Sequence, residues 1–472
     1  MQDAKIFFGS SEAVKDEWSE RRSPYNGEVV SRAPICDEED AKKALEIAKD
    51  AAKFAKKSTL AQRCAWLLDV AAKLREQKED IAKTITDEVG KPITFARIEV
   101  ERCIETITLS AETMRTMGGE TINTDAFASG KKTMAFFRRE PVGVVVAITP
   151  FNFPLNLVAH KLGPALVAGN AVVLKPTPEA PLTAYKFAKL FVESEYAIPD
   201  ALSVVYGDAE VGSALITSDI PRVISFTGSV PVGNIITKNA GIKKVGLELG
   251  GNAATFIEQS ADLAEAATKC ALGAFVNSGQ VCISLQRIYV EEAIYDEFAE
   301  LMARATKKLK VGSPYDDATF MGPLIDDEAC VRAMSWVESA IDEGAIPLLV
   351  PRVEGRIFYP CVMANVRDDM AIVCEEVFAP IVSLVKVDSF DDAVDRMNDS
   401  PYGLQFSVFT NDLSLMNRAV DELEAGGIVI NDMPTLRFDI QPYGGVKLSG
   451  VGREGPRFAI EEMTEIKSVV IC

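Results

Sequence analysis

Between residues 38 and 116 apolar side chains return every three or four positions. Ala41, Ala44, Leu45, Ala48, Ala51, Ala52 and Ala55 form one stripe, and Leu60, Cys64, Leu67, Leu68, Ala71 and Leu74 another; this is the spacing of amphipathic helices. A third helix runs into Val89-Gly90-Lys91-Pro92, where glycine offers a C-terminal stop and proline prevents continuation. A fourth covers about 95–116 and closes at Gly118-Gly119. Over 120–140 the period changes, and 121–124 and 133–138 read as two strands around Ser129-Gly130. From 144 onward apolar runs alternate with helical stretches. Strands are predicted at 144–148, 171–174, 202–205 and 223–226, with helices at about 155–168, 180–195, 209–217 and 230–239. That alternation specifies βαβ units and a doubly wound parallel sheet, whose ligands bind at the carboxyl ends of the strands. A second α/β unit begins near 250, with helices near 261–275 and 292–309 and a strand at 381–385. Residues 428–456 are rich in glycine and proline, and the tail 467–472 is strand-like and able to pair with another edge.

The chain's 472 residues exceed what one small core organises, so two or three domains are expected. The net charge of −19 argues against a broad nucleic-acid or anionic-membrane surface, because such partners are gripped by Lys and Arg. No apolar run is long enough for a membrane span, and no signal core follows the first residues. The nine cysteines are scattered, with no Cys-x-x-Cys pair, which predicts a reducing, cytoplasmic setting rather than a disulfide framework. With one histidine, His160, a multi-histidine metal site is impossible, and no metal is expected.

Five short stretches carry candidate chemistry. Cys282 follows the turn-like Asn277-Ser278-Gly279-Gln280, and Glu248 lies among glycines in Gly246-Leu247-Glu248-Leu249-Gly250-Gly251. A thiol nucleophile and a nearby carboxylate base are two parts of an acyl-transfer site, although buried cysteines more often serve as small hydrophobes. Asn152, between Pro150 and Pro154 just past the strand at 144–148, is either an oxyanion donor or a turn residue bonding its own backbone. Lys175 closes the next strand, where it reaches a ribose or phosphate or else faces solvent. Gly228-Ser229 opens a helix after a strand, which suits a pyrophosphate, yet two glycines five apart are equally an ordinary turn.

Taken together, Pro-Phe-Asn-Phe-Pro, Lys-Pro, Phe-Thr-Gly-Ser, Leu-Glu-Leu-Gly-Gly-Asn and Gly-Gln-Val-Cys resemble the NAD(P)-dependent aldehyde dehydrogenase superfamily. Glu375-Glu376-Val377-Phe378-Ala379-Pro380, Pro442-Tyr443-Gly444-Gly445 and Gly452-Arg453-Glu454 extend the match over essentially the whole chain. The resemblance implies a cofactor-binding domain over 1–119 and 141–249, a catalytic domain over 250–445, and an oligomerisation arm of 120–140 and 457–472. It implies Cys282 as nucleophile, Asn152 with the Cys282 backbone N–H as oxyanion donors, and Glu248 as the base for hydrolysis. It puts Lys175 at the adenosine ribose, Gly228 and Ser229 at the pyrophosphate, Glu376 at the nicotinamide ribose, and Thr149, Phe151 and Phe378 alongside the cofactor.

Two departures refine the expectation. Many NAD-preferring relatives carry a glutamate three residues past the lysine; here that cofactor-side position is Pro178, which leaves NAD or NADP open with a lean to NAD, since no arginine adjoins Lys175. At the substrate mouth, His160 takes a position often held by tryptophan and Arg437 falls at the entrance, with Phe153 and Ile283 as further walls. These resemble the lactaldehyde and non-phosphorylating glyceraldehyde-3-phosphate dehydrogenases, so a small hydroxylated or anionic aldehyde is expected, lactaldehyde-like ahead of phosphorylated. Arg437 is alternatively a structural partner of Asp439 or Asp432. The competing functions are a coenzyme A-acylating semialdehyde dehydrogenase and a catalytically idle NAD-binding relative.

Overall fold

A computed structural model describes residues 2–472. The four early helices form as their periodicity predicts, at Glu38–Ala55, Leu60–Glu76, Lys78–Val89 and Ile93–Thr116. Asp37 starts the first with a capping box, exchanging hydrogen bonds with Asp40. Gly90 ends the third at φ 69°, the left-handed conformation glycine tolerates best.

The strands Lys244–Glu248, Val223–Thr227, Val144–Ile148, Ala171–Lys175 and Leu202–Val204 lie side by side and parallel, in that order. Short antiparallel strands complete an eight-stranded sheet at both edges: Gly450–Val451 beside Lys244–Glu248, and Ile6–Phe8 with Ser11–Ala13 beside Leu202–Val204. A second sheet of seven strands is centred on Leu285–Glu291 and Ala253–Ile257, flanked by Ile381–Val387 and Gln405–Phe409. Its strands are parallel except for the edge strand Ile346–Pro347. Thus both α/β units exist, and the fold is that of two wound sheets with helices packed on them.

Met134–Pro141 pairs with Glu120–Thr121 on one side and along its whole length with Thr464–Ile471 on the other. Residues 457–472 comprise the end of a helix and a strand. The helix Pro456–Glu462 packs on Ile93–Thr116 and Asn156–Val167, because Ala459 and Ile460 are buried there, and only the strand after it joins the hairpin. A difference from the sequence reading is at the start of the chain, where 2–34 contain five strands that no local pattern announced. Ile6–Phe8 and Ser11–Ala13 pair with each other, and Ile6–Phe8 joins the pair to the first sheet, Phe7 opposite Val204.

Candidate active site

The carboxyl ends of the first sheet's strands and the segment entering Leu285–Glu291 face a common cavity of about 620 Å³. Cys282, Asn152 and Glu248 all line it, as do Phe151, Gly228 and Ser229. Glu376, Phe378, Arg437, Phe153 and Ile283 complete the sequence-predicted residues found there. Lys175, Thr149, Pro178 and His160 do not line it.

The Asn-Ser-Gly-Gln turn is a strained device. Asn277, Ser278 and Gly279 have φ of 51°, 56° and 72°, a run of left-handed residues that costs free energy unless the surroundings hold it. The surroundings do so: Ser278 Oγ donates to the Gly322 carbonyl at 2.8 Å, and Gln280 Oε1 accepts from Ile325 N–H at 2.9 Å. Ser284 Oγ then ties the other flank of Cys282 to the Ala274 carbonyl at 3.0 Å. The two glycines after Glu248 are explained by close approach. A Cβ on Gly251 would strike the Cys282 carbonyl, and one on Gly250 would strike the Glu376 carboxylate.

Asn152 Oδ1 accepts the Phe153 backbone N–H at 3.0 Å. That bond occupies the amide oxygen, and Nδ2 makes no hydrogen bond among the described residues. The loop behind it is held by Glu99, whose Oε1 accepts from Leu155 N–H at 2.9 Å and Asn156 N–H at 3.1 Å. Glu99 also pairs with Lys91, and both side chains are fully buried.

Glu248 ends the strand Lys244–Glu248, and its Oε2 is buried without a partner among the described residues. Burial pushes its pKa well up, and the Glu454 charge adds to that push against Arg437 and Lys161. Burial also acts to raise Glu454, but the charges of Lys161 and Arg437 outweigh it and hold Glu454 below the usual carboxylate range. Of these two coupled acids, Glu454 is therefore the ionised one, since Lys161 Nζ and Arg437 Nη2 lie 3.3 and 3.1 Å from its oxygens. The Cys282 thiol is pushed up to about 12, first by burial and further by the Glu376 carboxylate when ionised, against a hydrogen bond with Tyr443 and the charge of Arg437.

At or just past the carboxyl ends of the same strands stand groups that could hold a dinucleotide. Lys175 closes its strand, is buried, and forms no ion pair among the described residues. Thr149 donates its N–H to the Lys175 carbonyl at 3.3 Å, and its buried Oγ1 has no partner. Ser229 stands at the N-cap of Val230–Asn239 without making a side-chain cap bond, so that helix start keeps free N–H groups for an anion. Glu376 accepts from Gly251 N–H at 3.0 Å, and Phe378 packs edge-on to Phe151 with centroids 6.0 Å apart. Pro178 is exposed, and Glu179 bonds Thr177 instead.

His160 does not meet the cavity. The helix Asn156–Val167 is buried at every position, so its polar members must find partners inside. His160 Nε2 lies 2.9 Å from Asp439 Oδ1, and with that carboxylate ionised Nε2 carries the proton and donates. Burial lowers the His160 pKa and the charge of Arg437 lowers it further, leaving the ring neutral. Arg437 does line the cavity, but its main partner is Glu454 rather than Asp439, which lies 3.9 Å from Nε, or Asp432. Sequence reasoning missed Arg102, which also lines the cavity and is clamped by Asp439, and it missed Tyr443, 3.0 Å from the Cys282 sulfur. The Pro-Tyr-Gly-Gly and Gly-Arg-Glu matches were the signal for Tyr443 and Glu454; Arg102 had none.

Residues 11–469 match the sequence profile of the aldehyde dehydrogenase family. A 3-sulfolactaldehyde dehydrogenase of Priestia aryabhattai is 42% identical over 468 residues, 97% of either chain. A lactaldehyde dehydrogenase of Methanocaldococcus jannaschii is 40% identical over 454 residues, 95% of this chain and 96% of the relative. Among solved structures, a glyceraldehyde-3-phosphate dehydrogenase, GapN, from Methanocaldococcus jannaschii complexed with NADP superposes with a TM-score of 0.93 at 39% identity, covering 97% of this chain and all of that one (100%). The chain belongs to the aldehyde dehydrogenase family.

Proposed function

We propose that this protein oxidises a small hydroxylated or anionic aldehyde to its carboxylic acid through a covalent bond to Cys282. One observation carries the reading: Cys282, the free amide of Asn152 and the unpartnered carboxylate oxygen of Glu248 line the same cavity.

In this mechanism the Cys282 thiol gives its proton to solvent or a base, its sulfur attacks the aldehyde carbon, an S–C bond forms, and the carbonyl π pair moves to oxygen. Asn152 Nδ2 and the Cys282 backbone N–H donate to that oxyanion, an interaction typically worth about 3–4 kcal/mol. Holding the adduct in one orientation removes rotational freedom that a free aldehyde would keep. NAD(P)⁺, when bound, supplies the hydride acceptor that takes the adduct to a thioester. Glu248, once it has released its own proton to solvent, accepts a proton from water as the water oxygen bonds the thioester carbon, and the sulfur leaves with its electron pair. A base at 248 favours this hydrolysis over transfer to coenzyme A.

Lys175, Thr149, Gly228 and Ser229 would hold the adenosine and phosphate end of the dinucleotide, with Phe151, Glu376 and Phe378 at the nicotinamide end. Pro178 puts no carboxylate against a ribose 2′-phosphate, and the solved relative carries NADP; both support use of NADP as well as NAD. Two guanidinium groups, Arg102 and Arg437, at the cavity wall support an aldehyde with a hydroxyl or anionic tail, in keeping with the lactaldehyde and sulfolactaldehyde relatives. Phe153 and Ile283 would bound the apolar part. We further propose the cofactor unit, the catalytic unit after residue 250, and self-association through the hairpin and final strand, whose Met134, Ile466 and Val470 stand exposed.

A panel of short aldehydes with NAD or NADP, read by absorbance of the reduced nicotinamide, tests the reading. Lactaldehyde-type substrates should turn over, and Cys282→Ala should be inert. Substantial turnover by Cys282→Ala would remove that residue from the role.

A further inference from the structure

The Cys282 sulfur has a single side-chain hydrogen-bond partner among the described residues, and it is neither a histidine nor a lysine. It is the phenol of Tyr443, with Sγ and Oη 3.0 Å apart. We propose that Tyr443 is a catalytic residue whose O–H donates to the Cys282 thiolate, and that Arg437, lying on its ring, is a positioning residue that strengthens this donor. The inference rests on Cys282 being the nucleophile.

Three observations carry it. First, the ring cannot wander: Tyr443 is buried, and its backbone exchanges hydrogen bonds with Glu454, N–H to O at 3.1 Å and O to N–H at 2.6 Å. Second, the Arg437 guanidinium carbon sits 3.7 Å from the ring centroid, held there by Glu454 at 3.1 Å. A cation over the π face draws electron density from the ring and makes the phenol a better donor. Third, burial, together with the neighbouring Cys282, keeps the Tyr443 phenol well above its usual pKa, so it stays a neutral O–H that donates when the sulfur is charged. The protein's one histidine is already committed to Asp439, which leaves this phenol as the group that answers the sulfur's negative charge.

The O–H would act twice. It favours the thiolate when Sγ–H gives its proton to solvent or a base, and it steadies the same sulfur when it leaves the thioester carbon. A hydrogen bond to a charged group shifts such an equilibrium by about ten- to a hundredfold.

The test is the pH dependence of iodoacetamide labelling at Cys282 in the full-length protein, resolved from the other cysteines by peptide mass spectrometry. In Tyr443→Phe the labelling profile should move to higher pH, and the rate at neutral pH should fall about tenfold or more. 3-Fluorotyrosine installed at 443, a stronger donor, should move the profile the opposite way. Arg437→Met should give a smaller shift in the direction of Tyr443→Phe. Melting temperature and binding of the reduced dinucleotide report whether each variant is folded; if Tyr443→Phe is not, the fluorotyrosine arm decides. A profile unchanged in Tyr443→Phe, or one that 3-fluorotyrosine moves upward, would overturn the proposal. Labelling needs no turnover, so activity surviving in Cys282→Ala would end the underlying reading separately from this result.

Discussion

Arg102 and Asp439 meet in a two-pronged ion pair, Nε to Oδ2 at 2.9 Å and Nη2 to Oδ1 at 2.7 Å, across 337 residues of chain. The pair joins the helix Ile93–Thr116 to the glycine-rich loop that carries Arg437, and Asp439 also receives His160. Burial acts to raise the Asp439 carboxyl, but hydrogen bonds from His160 and Arg102 outweigh it and keep the group ionised far below the usual carboxylate range. One carboxylate thus holds Arg102 at the cavity wall beside the site where a substrate's tail would lie.

Arg102→Gln should therefore discriminate between substrates. KM for an aldehyde with an anionic tail should rise about tenfold or more, in line with the strength of charge-assisted hydrogen bonds, while KM for uncharged lactaldehyde changes little. Steady-state kinetics on both checks this, and equal losses on the two would contradict it.

Asn152→Ala removes the free amide and leaves the Phe153 N–H without its acceptor. The expected result is a fall in kcat of about 10²–10³ with little change in KM, as for loss of one oxyanion donor. A large rise in KM with kcat intact would assign the amide to substrate binding instead.

Much of this was legible from local pattern, and what was not has a common cause. The helices between 38 and 116 and the alternation after 144 are set by side chains a few residues apart, and they form where the periodicity puts them. The strands of residues 2–34 are short and pair mostly with one another, and only Ile6–Phe8 is anchored by a distant strand, Leu202–Val204. The Arg102–Asp439 and Tyr443–Cys282 contacts likewise span 337 and 161 residues, so no window of sequence contains them. His160 shows the limit in another way. Its helix is buried on every face, so the residue expected at the mouth is enclosed instead, with Nε2 on Asp439 and Nδ1 without a partner among the described residues.

Glu99 sits where stability and the Asn152 loop meet. Its carboxylate caps the start of Asn156–Val167 and is the ion-pair partner of buried Lys91. Glu99→Gln keeps an acceptor but leaves the lysine charge uncompensated, a loss of about 3–5 kcal/mol, seen as a marked drop in melting temperature. Adding Lys91→Met should recover most of it; a double variant no better than the single would refute the charge explanation.

Glu376 gives a pH signature. Burial raises its carboxyl to about 7 from 4.5, opposed by the Gly251 N–H and Arg332. The folded protein thus retains a proton there that the unfolded chain releases near 4.5. The resulting stabilisation is full below the unfolded value and is lost as pH rises through about 7, a change of about 3 kcal/mol. In Glu376→Gln, which titrates nowhere, melting temperature relative to the parent should climb over that window while dinucleotide affinity falls. A difference that stays flat with pH would contradict the assignment.

The most direct test of covalent catalysis is the mass of the protein itself. Glu248→Gln, mixed with excess aldehyde and NAD(P)⁺, should give a stoichiometric burst of reduced nicotinamide, turn over about 10²–10⁴-fold more slowly than the parent, and carry an acyl group on the peptide containing Cys282. A burst with the acyl group on another residue, or steady turnover with Cys282 never modified, would contradict the account.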